Sequence, residues 1–170
     1  MSILDKTKTK VERVKEDLLK ELVISFIKDN YYVDGSLEIR DNYNEYGKFV
    51  IDCDGDVKLT NEELTSLTDE LFIWGWVKGN FYCNYSRISS LEGAPEYVNG
   101  DFYCNHSLIS SLEGAPEDVK GNFSCCDTLI SSLEGAPKFV GGDFCCMKLR
   151  TNFTKDDIRK VSDVMGRILI

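Results

Sequence analysis

A pattern of apolar and polar residues recurs in the middle of the chain with a constant period of 21 residues. Three copies are complete and a fourth stops early; they are residues 77–97, 98–118, 119–139 and 140–146. In the first copy the apolar positions are Phe81, Cys83, Ile88 and Leu91, and the later copies keep these offsets. Units that repeat with such a fixed period stack on one another and bury one continuous core. The repeats therefore predict a solenoid.

A short strand is predicted in each copy, because apolar Phe81 and Cys83 alternate with polar Asn80, Tyr82 and Asn84. Successive strands should lie in parallel, about 4.8 Å apart, and form one curved sheet. Their inward side chains should form a phenylalanine ladder and a cysteine ladder, made of Phe81, Phe102, Phe123, Phe144, Cys83, Cys104, Cys125 and Cys146. The Gly-Ala-Pro segment of each copy should then turn the chain back across the convex side.

An earlier, divergent copy begins at Val57, because Leu59, Leu64 and Leu67 follow it at the same offsets. Phe81 lies 24 residues after Val57, so this copy contains about three extra residues, which we place near Trp74–Trp76. Tryptophan in an irregular segment either fills the core or anchors a partner. The sequence leaves both interpretations open for Trp74 and Trp76.

The segment before the repeats is predicted to cap the first end of the solenoid. Apolar residues recur at helical spacing within residues 10–28, namely Val11, Val14, Leu18, Leu22, Val23 and Phe26. Ser36–Arg40 and Phe49–Asp52 are typical of two strands joined by the polar stretch Asp41–Lys48. This hairpin should cover the first edge of the sheet, since an uncovered edge invites aggregation.

The segment after the repeats is predicted to be a capping helix. Thr154 and Asp157 resemble a capping box. The apolar residues of one helical stripe follow, namely Ile158, Val161, Met165 and Ile168.

The apolar offsets of the repeats resemble the spacing of leucine-rich repeats. The chain is thus predicted to be an α+β repeat solenoid of the leucine-rich repeat type. A helix and hairpin cap is expected in residues 1–48, the solenoid in 49–153 and a C-terminal capping helix in 154–170.

Charge and composition narrow the classes of partner. The net charge is −9, and residues 29–72 hold twelve acidic against three basic residues. This balance disfavours nucleic acid and anionic membranes, and no apolar run approaches the roughly 18 residues that span a bilayer. The charged amino terminus does not resemble a signal peptide, so we expect a cytoplasmic protein whose seven cysteines are reduced.

Candidate chemistry is sparse. His106 is the one histidine, and it follows a predicted strand end where it should face water. The segment from Asp52 through Asp54 to Asp56 fails the calcium-loop pattern, because its glycine stands fourth rather than sixth. No Cys-x-x-Cys motif occurs, and Cys126 and Cys145 should lie on the outer sheet face. We therefore expect no metal, no cofactor and no enzymatic activity.

The outward strand positions are the main candidates for partner binding. A tyrosine ring combines apolar area with a hydroxyl at little entropic cost, and the concave face of a solenoid is its usual binding surface. The candidate residues are Asn80, Tyr82, Asn84, Tyr85, Asp101, Tyr103, Asn105 and His106. The alternative is that Tyr82 and Tyr103 only pair across strands and stiffen the sheet.

Each repeat reads Val-x-Gly-Asp/Asn-Phe-x-Cys followed by Ile-Ser-Ser-Leu-Glu-Gly-Ala-Pro, and this motif resembles the short leucine-rich repeat proteins of tailed bacteriophages. The resemblance covers residues 49–146. The sequence departs from the family pattern in two places: the usual asparagine after the strand is missing, and the stretch Phe72–Trp76 is rich in tryptophan. The resemblance implies a phage protein acting in the bacterial cytoplasm, and it implies no reaction.

These observations lead to three hypotheses about function. The first is a protein-binding module that blocks a host defence or regulatory protein by occupying it. The second is an acidic mimic of nucleic acid, in which Asp52, Asp54 and Asp56 occupy the basic groove of a DNA- or RNA-binding protein. The third is a structural protein that assembles into homo-oligomers. A catalytic centre in the flanking segments has no support, since residues 1–48 contain neither His nor Cys.

Overall fold

The computed structural model describes residues 9–40, 47–60 and 62–170, and the chain divides into two compact units, Met1–Tyr31 and Tyr32–Ile170. The first unit contains helix α1 (Lys10–Asn30). The elements of the second unit are, in chain order, β1 (Tyr32–Asp34), β2 (Leu37–Ile39), β3 (Phe49–Cys53), β4 (Asp56–Lys58), β5 (Phe72–Val77), β6 (Phe81–Tyr82), β7 (Tyr97–Val98), β8 (Phe102–Tyr103), β9 (Asp118–Val119), β10 (Phe123–Ser124), β11 (Phe139–Val140), β12 (Phe144–Cys145), α2 (Lys155–Val161), β13 (Asp163–Val164) and β14 (Ile168–Leu169).

Helix α1 confirms the helix predicted over residues 10–28. A capping box begins it: the Thr9 hydroxyl accepts a hydrogen bond from the Glu12 amide at 3.2 Å, and the Glu12 carboxylate accepts one from the Thr9 amide at 2.6 Å. Val23 and Ile27 are buried. Five large apolar side chains on another face of the helix are exposed, namely Val11, Val14, Leu18, Leu22 and Phe26.

The second unit is a β-solenoid of about six turns, which confirms the predicted repeat solenoid. Sheet A has the strand order β1-β4-β6-β8-β10-β12-β14, and sheet B has the order β13-β11-β9-β7-β5-β3-β2. Strand pairs are parallel except at one end, where β1 is antiparallel to β4 and β2 is antiparallel to β3. The predicted hairpin is thus confirmed as β2 and β3, but its predicted place is wrong: it closes the first edge of sheet B, whereas β1 closes that edge of sheet A, which contains the phenylalanine strands. Residues 41–46 of its connection lie outside the described residues.

The prediction of a single sheet is wrong, because each turn contributes a second strand to sheet B. This strand follows the Gly-Ala-Pro turn, as in Tyr97–Val98, and buries its valine. The turn itself needs glycine, since Gly93, Gly114 and Gly135 have φ of 88°, 83° and 78°. In sheet A, Phe81 and Cys83 give two inward apolar residues that alternate with polar ones, whereas Tyr97–Val98 buries only its valine. The second strand therefore has no alternation that a sequence pattern can detect.

The C-terminal helix is shorter than predicted. Its capping box at Thr154 and Asp157 is confirmed, but the helix ends at Val161. The chain then adds β13 beside β11 and β14 beside β12, with Phe144 opposite Ile168. Of the predicted helical stripe, Ile158 and Val161 lie in α2. Met165 and Ile168 instead belong to one further turn of the solenoid, in which Ile168 is buried and Met165 is exposed.

The inward ladders form the core as predicted. Phe81, Phe102, Phe123 and Phe144 are fully buried, and successive ring centroids lie 5.5, 5.5 and 5.0 Å apart. The inward cysteines are buried too, and the Cys104 thiol donates to the Ser124 carbonyl at 3.4 Å. Each turn is also held by a hydroxyl: the side chains of Ser86, Ser107 and Thr128 donate to the carbonyls of Cys83, Cys104 and Cys125 at 2.7, 2.7 and 2.8 Å.

The divergent first copy is confirmed by the pairing of Val57 with Phe81. Leu67 and Val77 are ten residues apart, whereas the equivalent Leu91 and Val98 are seven apart. The three extra residues therefore lie in this interval, where β5 forms a strand of six residues.

Candidate protein-binding surface

The outward side chains of sheet A form rows, because the parallel register places equivalent residues of successive turns beside one another. The tyrosine row consists of Tyr32, Lys58, Tyr82 and Tyr103, and continues into Ser124 and Cys145. The period of 21 residues alone predicted the neighbourhood of Tyr82 and Tyr103. The addition of Tyr32 required the tertiary structure, since β1 joins sheet A in the antiparallel direction.

The tyrosine row is a continuous set of ring and cation contacts. The Tyr82 and Tyr103 rings stack with centroids 5.3 Å apart and planes within 10° of parallel. The Lys58 ammonium lies 4.7 Å from the Tyr32 ring centroid and 5.4 Å from that of Tyr82. Partial burial and the hydrogen bond from the Tyr103 hydroxyl to Asp101, 2.8 Å long, raise the pKa of Tyr103 to about 12. The Tyr82 and Tyr103 rings are therefore ordered before binding, and the Tyr103 hydroxyl is neutral.

A second row lies immediately after the strands of sheet A, where four non-glycine residues adopt left-handed backbone conformations. This left-handed row consists of Tyr85, His106, Asp127 and Lys148, with φ of 54°, 52°, 55° and 60°. The rings of Tyr85 and His106 stack at 4.7 Å, and the Nδ1 atom of His106 lies 3.1 Å from an Asp127 carboxylate oxygen. His106 is exposed, as predicted, and Tyr85 keeps 59% of its surface accessible.

The polar residues before the strands form an Asx row: Asp56, Asn80, Asp101, Asn122 and Asp143. Each Oδ1 atom accepts a hydrogen bond from a backbone amide of the next turn, at 2.7, 2.7, 2.6, 2.8 and 2.7 Å in chain order. Carboxylates and amides alternate, so amide Nδ2 groups also donate to the carboxylate before them, as Asn122 does to Asp101 at 3.0 Å. The side chains of Asn80 and Asp101, predicted to bind a partner, thus hold neighbouring turns together.

The Asx row ends at a cation. The Arg167 guanidinium donates to the Asp143 carboxylate at 2.7 and 3.1 Å, and the Arg167 amide donates to it as well. These bonds lower the pKa of Asp143 below its ordinary value. The Asp/Asn period before each phenylalanine is visible in the sequence and could have predicted this row.

The other two predicted asparagines differ from each other. The Asn105 Oδ1 atom accepts hydrogen bonds from the Cys126 amide at 2.7 Å and from the Ser124 hydroxyl at 2.8 Å. The Asn84 Oδ1 atom is buried without a hydrogen-bond partner in the described part of the chain. Of the eight predicted residues, Tyr85 and His106 are exposed and the other six are partly buried.

All three acidic candidates bind donors of the same chain. The Asp52 carboxylate binds the Arg40 guanidinium through two hydrogen bonds of 2.7 and 2.8 Å, and also accepts from the Trp76 amide at 2.6 Å. Asp54 forms an ion pair with Lys78, and Asp56 belongs to the Asx row. The acidic mimic remains a prediction, and these intramolecular donors partly neutralise the charge on which it depends.

The two tryptophans have different environments. Trp74 is buried in the core, whereas Trp76 keeps 53% of its surface accessible on the outward face of sheet B. The Trp76 ring makes an edge contact with Tyr97, with centroids 5.6 Å apart, and the Arg40 guanidinium lies 5.3 Å from its centroid. Sequence analysis missed this pair, although Trp76 and Tyr97 are also separated by 21 residues.

Comparisons with protein-family models, curated proteins and solved structures give no match to this chain. Neither helix in the described ranges combines the length and the apolar content that crossing a lipid bilayer requires. Within residues 9–40, 47–60 and 62–170, no group of three or more His, Cys, Asp or Glu side chains is arranged to hold a metal ion.

Proposed function

We propose that the protein is a non-catalytic binding module that engages another protein through the aromatic side chains of the tyrosine row and of the adjacent left-handed row. The observation that carries the proposal is the presence of two stacked ring pairs, Tyr82 with Tyr103 and Tyr85 with His106. Stacking and the hydroxyl bond to Asp101 order these rings before binding, so little side-chain entropy is lost on association. Tyrosine is also enriched among the residues that dominate protein interfaces.

The nature of the partner follows from the repeat motif. Its resemblance to the leucine-rich repeat proteins of tailed bacteriophages supports a phage protein in the cytoplasm of its host. The partner is then a host defence or regulatory protein, inhibited because the solenoid occupies its working surface. Both the assignment of the repeats to the leucine-rich repeat class and the host target rest on this resemblance and are part of the proposal.

The proposal predicts a selective loss of binding on one face. The double variant Tyr85→Asn/His106→Asn removes one ring pair, and asparagine tolerates the left-handed backbone of both positions. We expect the affinity for the partner to fall by about tenfold or more, as for interface hot spots. The measurement is quantitative affinity purification from bacterial lysate, followed by calorimetry with the purified partner.

The matched control removes a ring pair from the opposite sheet. Trp76→Thr/Tyr97→Thr should leave binding unchanged. Equal capture by the Tyr85/His106 variant and the wild-type protein would contradict the proposal. The acidic mimic would be favoured instead if, in addition, capture by the wild-type protein fell steeply with salt and the variant Asp52→Asn/Asp54→Asn captured nothing.

A second candidate function, self-assembly, is favoured by the exposed apolar face of α1. An antiparallel pair of α1 helices centred on Leu18 would place Val14 of each copy opposite Leu22 of the other. The same arrangement brings Lys15 opposite Glu21, and both of these side chains are exposed. The arrangement therefore pairs apolar with apolar side chains and a positive with a negative one, and burying the face would remove several large apolar side chains from water.

This candidate is tested by exchanging charges. Lys15→Glu alone should weaken a dimer by placing like charges opposite each other, and the double variant Lys15→Glu/Glu21→Lys should restore it. Light scattering after size-exclusion chromatography measures the mass. A monomer at all concentrations for the wild-type chain would reject self-assembly through α1.

A further inference from the structure

Two thiols of neighbouring turns meet on the outward face of sheet A. The sulfur atoms of Cys126 and Cys145 lie 2.7 Å apart, whereas a disulfide bond is about 2.05 Å long. Both residues are partly exposed, and the other five cysteines of the chain are buried. One repeat earlier, Asn105 occupies the position of Cys126 and Ser124 occupies that of Cys145. The preceding turn therefore has no equivalent pair of thiols.

The backbone holds the two thiols together. Cys145 lies beside Ser124 in the parallel register, which places Cys126 diagonally across from it. The Cys125 amide donates to the Cys145 carbonyl at 2.9 Å, and the Asp127 amide donates to the Met147 carbonyl at 3.0 Å. These bonds fix both turns on either side of Cys126. Closing the remaining gap between the sulfur atoms therefore requires a movement of less than about 1 Å.

We propose that Cys126 and Cys145 are a reversible modification site that forms an intramolecular disulfide by exchange with a low-molecular-weight disulfide such as oxidised glutathione. One protein thiolate attacks a sulfur of the small disulfide, which forms a mixed disulfide and releases one small thiol. The second protein thiolate then attacks the protein sulfur of that mixed disulfide and releases the other small thiol. Both protein thiols are oxidised, and the small disulfide is reduced to two thiols.

Burial distinguishes the remaining cysteines from Cys126 and Cys145 in their access to a small disulfide. Full burial raises the pKa of the Cys104 and Cys125 thiols well above the ordinary value, so they stay protonated and inaccessible to the exchange. Partial burial, and then the contact with Cys145, also raise the pKa of Cys126. Because the thiolate is the reacting form, the exchange should accelerate as the pH rises.

Mass spectrometry of the intact, folded protein tests the proposal. After incubation with oxidised glutathione, the wild-type chain should lose the mass of two hydrogen atoms and regain it with dithiothreitol. Cys126→Ser and Cys145→Ser should instead gain one glutathione each, since the resolving thiol is absent. Cys125→Ala and Cys146→Ala, which replace the sequence neighbours, should still form the disulfide.

Fragmentation of the cross-linked peptide assigns the bond to Cys126 and Cys145 in the wild-type chain even where a neighbour variant does not fold. A bond between two chains, a bond through a buried cysteine, or glutathione on the wild-type chain without closure would each overturn the proposal.

Discussion

Phe102→Ala is expected to lower the free energy of unfolding by about 3–5 kcal/mol, the usual cost of truncating a buried phenylalanine. Phe102 is fully buried, and its ring stacks on Phe81 and on Phe123 with centroids 5.5 Å away on both sides. Removing the ring leaves a cavity in the middle of the ladder and takes a packing partner from both adjacent turns. Urea denaturation monitored by circular dichroism measures the loss.

Phe139→Ala is the matched control, because it deletes the same side chain from the outward face of sheet B. Phe139 is only half-buried, and its ring contacts the Lys120 ammonium at 4.6 Å. We expect a loss below about 1 kcal/mol, as for surface substitutions and exposed cation–π contacts. Similar losses for Phe102→Ala and Phe139→Ala would show that the ladder is not the principal core of the solenoid.

Asp101→Ala is expected to cost about 2–3 kcal/mol, because it removes the shared acceptor of two neighbouring turns. The Asp101 carboxylate accepts hydrogen bonds from the Asn122 amide and Asn122 Nδ2, and from the Tyr103 hydroxyl. Alanine leaves the partly buried Asn122 amide without this partner. The variant should also release the Tyr103 hydroxyl, so the pKa of Tyr103 should fall from about 12. Denaturation and ultraviolet titration measure the two effects.

Asp101→Asn distinguishes the acceptor from the charge. Asparagine keeps an Oδ1 atom for the Asn122 amide, as Asn80 does for Asp101 itself at 2.7 Å. We therefore expect Asp101→Asn to cost about 1 kcal/mol or less, well below the cost of Asp101→Ala. If the two substitutions were equally destabilising, the Asx row would depend on alternating charge and not on acceptors for backbone amides.

The candidate surface was only partly predictable from sequence. The 21-residue period placed Tyr82 beside Tyr103 and Tyr85 beside His106, because equivalent residues of stacked turns must be neighbours. The same period could not separate contact residues from structural ones. Asn80 and Asp101 share the outward face with the tyrosines, yet their oxygen atoms bond to backbone amides of the next turn. Hydrogen bonds within the chain decide which polar atoms can still bind a partner, and the residue type alone does not specify those bonds.

The amino-acid sequence by itself determined the solenoid, its period and its inward ladders. A repeat cannot bury its own apolar face, so identical offsets of phenylalanine, cysteine, isoleucine and leucine lead to stacking of turns and to one core. Only the tertiary structure decided the second sheet, the extra turn after Val161 and the contact between Cys126 and Cys145. Each repeat strand of sheet B buries a single valine, so it has no apolar alternation of its own. The approach of two side chains on adjacent turns depends on register and backbone path, which are settled only when the turns pack.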